Sequence, residues 1–86
     1  MKIKKNYYFT FGSSKQFPFQ NGYVVVKAND VTQAIALFRV YYPDKNKEII
    51  NCSDFYSEDK WNADVEKYYE NRQPKAIISS ELNILE

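Results

Sequence analysis

Asn6-Tyr7-Tyr8-Phe9-Thr10-Phe11-Gly12 is the stretch of this sequence that decides the fold. Aromatic and β-branched residues favour strands, and successive side chains of a strand point to opposite faces of a sheet. The odd-numbered positions from Tyr7 to Phe11 are all aromatic, whereas the even-numbered positions make an amphipathic face. The pattern predicts a strand over residues 3–12 in the middle of a small sheet, with a helix over its aromatic face.

A second strand is predicted at Tyr23–Ala28, directly after the turn signal Asn21-Gly22. The two strands should form a hairpin with a long loop, residues 13–21. Lys27 shares a face of the second strand with Tyr23 and Val25, and a charged residue there predicts that this face is the solvent side.

A helix is predicted over residues 31–42. Asp30 is a favourable N-cap, and Gln33 three residues later gives the form of a capping box. Apolar residues follow at spacings of three and four, which is one helical stripe. Pro43 ends the helix, because the residue before a proline is pushed out of helical geometry.

The second half predicts a third strand, a second helix and a further edge strand. The third strand is residues 48–52, parallel to the second strand. Ser57 caps a helix that runs to about residue 71, at the rim of the sheet. Its apolar stripe is Trp61, Val65, Tyr68 and Tyr69.

These elements predict one α+β domain over residues 1–86, in the order ββαβα(β). The sheet has three strands in the order 2-1-3, or four if residues 76–78 add an edge strand, and helix 31–42 packs on one face. Residues 79–86 carry no clear pattern, and a disordered tail is one interpretation of them. Leu85-Glu86 matches a common cloning remnant.

Composition argues against an enzyme, a cofactor and a metal site. The chain has no His, which removes imidazole bases and ligands, and only two Gly, which removes phosphate-cradling loops. The single Cys52 lies in a predicted strand with no activating partner nearby in sequence. An acidic cluster, Asp54, Glu58, Asp59 and Asp64, fits no metal-binding loop.

A lone cysteine and the lack of an apolar run near Met1 favour a cytoplasmic protein. The charge is uneven along the chain. Residues 1–45 carry seven Lys/Arg and two Asp/Glu, while residues 46–86 carry five and nine. This predicts a basic and an acidic surface, which have no specific role in the simplest interpretation.

Three functions remain open. The leading hypothesis is a non-enzymatic binding protein whose ring-rich surface contacts another protein through Phe17, Phe19, Tyr23 and Tyr8, with Trp61 as a further candidate contact. Phe17 and Phe19 have an alternative role, which is to fold back and cap the core. A second hypothesis is a module for single-stranded nucleic acid, in which Lys2, Lys4, Lys5 and Lys27 flank stacking rings. The third is a small-ligand or nucleotide sponge that acts as a dimer.

Several segments together resemble a group of small uncharacterised proteins carried by prophages and conjugative elements of low-GC Gram-positive bacteria. The segments are Tyr7-Tyr8-Phe9-Thr10-Phe11-Gly12, Asn21-Gly22-Tyr23-Val24-Val25-Val26-Lys27-Ala28, Ala34 in the capped helix, and Phe55-Tyr56-Ser57-Glu58-Asp59-Lys60-Trp61. The resemblance covers about residues 6–65 and rests on strand, turn and cap motifs. It brings no catalytic residue and implies a cytoplasmic accessory protein of a mobile element. The leading hypothesis then becomes that the chain occludes a host protein, with a component of a defence system as one class of target.

Overall fold

A computed structural model describes residues 4–47 and 49–79 of the chain. Within them, the strands are β1 (Lys5–Thr10), β2 (Tyr23–Ala28), β3 (Asp54–Ser57) and β4 (Ala76–Ser79), and helix α1 is Val31–Tyr41. A second helical segment, residues 58–68, consists of an α-helical turn Glu58–Lys60, a π-helical stretch Trp61–Val65 and a 3-10 turn Glu66–Tyr68. No helix in this part of the chain is long and apolar enough to cross a membrane.

The sheet has the order β3-β1-β2-β4. Read from the opposite edge, the strands after β4 follow the predicted order 2-1-3, and the sheet differs from the three-stranded prediction by β4, which adds at the β2 edge. The α+β class is confirmed. β1 pairs antiparallel with both β2 and β3, and β4 adds to β2 in parallel. β1 is internal, as predicted from its apolar composition. The predicted tail lies outside the described residues, except for Ser79, which ends β4.

The third strand is Asp54–Ser57 and not the predicted residues 48–52. Glu48 lies outside the described residues, and residues 49–52 form no ladder with the sheet. Phe55 pairs with Phe9, and Tyr56 pairs with Tyr8. Cross-strand aromatic pairs of this kind stabilise a register more than the local strand propensity of two isoleucines does.

On the first face of the sheet, α1 covers a core of aromatic and β-branched side chains. The Phe9 ring stacks on Phe38 at a centroid distance of 4.3 Å, and both side chains are fully buried. Asp30 caps the helix as predicted, since its Oδ1 accepts a hydrogen bond from the Gln33 backbone N–H at 2.8 Å. Gln33 in turn accepts from the Asn29 N–H at 2.7 Å, which completes the start of the helix.

The second face is also covered, so the prediction that Lys27 marks a solvent side is wrong. Tyr23 and Val25 on this face are buried under the second helical segment, together with Trp61 and Val65. Lys27 stays exposed because it lies near the end of β2. The second helical segment therefore forms a second layer over the sheet and does not lie at its rim.

The π-helical stretch changes which tyrosine reaches this second core. Its wider turn joins the Glu66 backbone N–H to the Trp61 carbonyl. In a regular helix Tyr68 would follow Trp61 on the inner face, as the stripe predicted. Here Tyr69 packs against the second core and Tyr68 is 70% exposed.

The loop between β1 and β2 folds back onto the first core. Gly12, with a φ of 61°, and Asn21, with a φ of 58°, both adopt the left-handed conformation, and the Asn21 N–H donates to the Gly12 carbonyl at 2.6 Å. Phe17 and Phe19 are half-buried against the core. Their role is therefore to cap the core, and they do not form an exposed apolar loop.

Replacing Phe38 with Ala should lower the free energy of unfolding by about 3–5 kcal/mol, because it empties a fully buried site against Phe9. Phe55→Ala removes the same ring from a site that is 40% exposed, and its cost should be clearly smaller. Urea unfolding followed by circular dichroism measures both. Equal losses of unfolding free energy in the two variants would contradict the placement of Phe38 in the core and of Phe55 at its edge.

Candidate binding groove

A groove of about 300 Å³ opens on the second face of the sheet, beside the second helical segment. We call it the aromatic groove. It is lined by Asn6, Tyr8, Tyr23, Val25, Lys27, Trp61, Glu66, Tyr69, Glu70 and Ile77. Strands β1 and β2, together with Trp61 of the helical segment, form its base. Ile77 on β4 lies at its rim, and Glu66, Tyr69 and Glu70 form its wall.

The rings of the groove are fixed against one another. Trp61 stacks on Tyr8 at 4.1 Å with 3° between the ring planes, and on Tyr69 at 5.2 Å with 26°. Tyr23 lies tilted against Trp61 at 4.9 Å. Trp61 is only 4% exposed, so it forms the base of the groove and holds the more exposed Tyr8 and Tyr69 in place.

Hydrogen bonds fix the polar residues at the end of the groove where β1 begins. Asn6 and Lys27 lie opposite each other in the β1–β2 register. The Lys27 ammonium donates to Asn6 Oδ1 at 3.3 Å, and Asn6 Nδ2 donates to the Tyr8 hydroxyl at 3.4 Å. The Lys27 ammonium is therefore hydrogen-bonded to a neutral partner.

Two carboxylates lie on the wall. Glu66 and Glu70 are exposed, and the ion pairs formed by the described residues, Arg39–Asp44 and Lys60–Asp64, involve neither of them. Burial raises the pKa of Tyr8 and of Tyr23, and the negative charge of Glu66 raises both pKa values further. The Glu66 carboxylate therefore lies close enough to both tyrosine hydroxyls to oppose their ionisation.

Of the predicted contact residues, Tyr8, Tyr23 and Trp61 lie in this groove. Phe17 and Phe19 lie elsewhere. Phe19 packs edge-on against Phe11 at 5.4 Å, and Phe17 lines a small cavity of about 60 Å³ beside Lys45. The structure therefore does not bring the predicted contacts together into one surface.

The lysines of the nucleic-acid hypothesis are also dispersed. Lys27 lies in the groove, Lys5 is exposed on β1, and the Lys4 ammonium donates to Asn29 Oδ1 at 3.5 Å. Lys2 lies outside the described residues. Of the three predicted lysines that the structure describes, only Lys27 lines the groove, and the carboxylates of Glu66 and Glu70 would repel phosphate there. The Arg72 guanidinium, which the hypothesis did not include, lies over the Tyr69 ring at 5.9 Å.

Sequence reasoning missed Glu66, Glu70 and Ile77, and it did not separate Tyr69 from Tyr68. The four-residue spacing of Trp61, Val65 and Tyr69 was the available signal, but it is also compatible with a regular helix. Ile77 enters the groove because β4 pairs in parallel with β2, opposite Val25, and no local pattern specifies that pairing.

Nucleophilic chemistry has little support here. Burial raises the pKa of the Cys52 thiol to about 12, with a smaller contribution from the charge of Asp54. The described residues contain no group of three or more His, Cys, Asp or Glu side chains that could hold a metal ion.

Compared with known protein families, curated proteins and solved structures, the chain matches none.

We expect the free energy of unfolding to fall as the pH rises above about 9, where a thiol in the unfolded chain begins to ionise. The folded chain resists this ionisation, because burial raises the pKa of Cys52 and of Tyr8, Tyr23, Tyr42 and Tyr56. The stability from these neutral groups is thus fully present below that pH and is lost above it. Urea unfolding at neutral pH and at about pH 10 measures the loss.

The variant Cys52→Ala should make this decline shallower, since one of the groups with a raised pKa is gone. If the unfolding free energy of the wild type stays level or increases over the same pH range, burial does not raise the pKa values of these groups as argued.

Proposed function

We propose that this chain is a non-enzymatic accessory protein of a phage or mobile element that binds a host protein through the aromatic groove. The observation that carries the proposal is the groove itself. It is open to solvent, floored by rings held in fixed geometry, and bordered by exposed charged and apolar side chains. Rings with an apolar body and a polar edge are enriched where proteins bind proteins.

The rim supplies an apolar contact for a partner. Ile77 is 60% exposed on the edge strand β4 and lines the groove. Beside it, Tyr8 and Tyr69 offer partly exposed rings. An apolar rim residue above fixed rings is the arrangement that anchors a partner side chain.

The host partner that fits the mobile-element resemblance is a defence protein, which the chain would inhibit by occlusion. Occlusion needs only a bound surface, and this agrees with a sequence that has no His and a cysteine that is buried.

A small-ligand sponge is the alternative that the groove volume keeps open. A volume of about 300 Å³ lies at the lower end of small-molecule sites, and a second copy of the chain would be needed to close it. Native mass spectrometry distinguishes the two hypotheses, because the sponge requires a dimer that carries a ligand.

Ile77→Lys should abolish most of the recovery of a specific host protein when the immobilised chain is incubated with host lysate. The change places a charged side chain at the groove and is tolerated on an edge strand. Val40→Lys is the matched control, because Val40 is 72% exposed on α1 and does not line the groove.

Quantitative mass spectrometry of the recovered proteins compares wild type with the two variants. Equal recovery by Ile77→Lys and Val40→Lys would count against the groove as the contact surface. The absence of any protein recovered specifically by wild type would count against the proposal as a whole.

A further inference from the structure

The charges of the aromatic groove are unbalanced. Glu66 and Glu70 are four residues apart and both line the groove. No ion pair joins either of them to Lys27 within the described residues, and Lys27 is hydrogen-bonded to Asn6 instead. Among the described residues, the wall therefore presents two carboxylates without an ion-pair partner, and with Lys27 the lining residues carry a net charge of −1.

The rings add apolar surface for the stem of a cationic side chain. Trp61 covers one face of Tyr8 and one face of Tyr69, and the Arg72 guanidinium lies over the Tyr69 ring at 5.9 Å. The exposed parts of Tyr8 and Tyr69 therefore contribute apolar contact at the groove.

Ile77 and Val25 supply apolar surface at the same place. A side chain with an apolar stem and a cationic head is complementary to this groove. Its stem can pack on the apolar side chains while its head reaches the carboxylates of Glu66 and Glu70.

We propose that the aromatic groove binds a lysine side chain of the partner protein, with its ammonium group between Glu66 and Glu70 and its methylene stem against Tyr8, Tyr69 and Ile77. This inference rests on the proposed function and adds the chemical class of the segment bound. Lysine fits better than arginine because a compact ammonium can be shared by two carboxylates, whereas a planar guanidinium prefers a single bidentate carboxylate.

Lys27 limits what can lie beside that lysine. Its ammonium is fixed by Asn6 at the end of the groove where β1 begins. A second cation of the partner at this end would be repelled, while a neutral or acidic neighbour would be accepted. The groove therefore selects an isolated lysine over a run of basic residues, and it disfavours phosphate because of Glu66 and Glu70.

The test uses blocked peptides of one scaffold that differ only at the central residue, which is lysine, acetyl-lysine or glutamate. Binding is followed by the indole N–H signal in a proton–nitrogen NMR spectrum. Trp61 is the only tryptophan in the sequence, so this spectrum has one indole signal, and it reports on the base of the groove. The lysine peptide should shift the signal saturably, and the other two peptides should not.

Glu66→Gln/Glu70→Gln should weaken binding of the lysine peptide about tenfold, because two charge-assisted contacts become neutral ones. Asp59→Asn/Asp64→Asn removes the same formal charge from exposed positions that do not line the groove, and it should change the affinity by less than about twofold. Equal weakening by the two double variants would overturn the site, since it would show attraction by overall charge alone.

Binding of the acetyl-lysine peptide as tight as that of the lysine peptide, or no saturable shift with lysine, would also overturn the inference. These results are separable from a failure of the proposed function. If Ile77→Lys loses the host protein while no lysine peptide binds, the groove contacts its partner through other chemistry. If the lysine peptide binds while Ile77→Lys keeps the same host protein, the lysine site stands and the host contact lies elsewhere.

Discussion

Two ring stacks on neighbouring residues of β1 hold the layers of this protein together. Phe9 stacks on Phe38 at 4.3 Å on one face, and Tyr8 stacks on Trp61 at 4.1 Å on the other. Because adjacent residues of a strand point to opposite faces, consecutive aromatic residues need cover on both sides of the sheet. The internal position of β1, helix α1 on the first face and the helical segment on the second face all follow from this requirement.

The second helical segment leaves part of the second face of the sheet uncovered, and this produces the groove. The segment at residues 58–68 combines α, π and 3-10 turns, and its buried contacts with the sheet are concentrated at Trp61 and Val65. The part of the second face toward β4 therefore stays open above Val25 and Ile77.

Residues from the basic half and from the acidic half of the chain meet at the aromatic groove. Lys27 comes from the basic half, and Glu66 and Glu70 come from the acidic half. The fold brings all three to one groove without pairing them, since Asn6 holds the Lys27 ammonium. For the partner proposed above, separated charges beside fixed rings would provide orientation and selectivity.

The sequence by itself determined the features that depend on local interactions. These are the central aromatic strand, the strand at Tyr23–Ala28, the Asp30 cap and the start of the second helical segment at Ser57. Alternation, capping and helical spacing act over a few residues and can be recognised in the chain. Only the tertiary structure decided the third strand, the burial of Tyr23 and Trp61, and the groove. Each depends on pairing between distant segments, such as Phe55 with Phe9 and Ile77 with Val25, whose free energy comes from rings and apolar side chains that meet only in the folded chain.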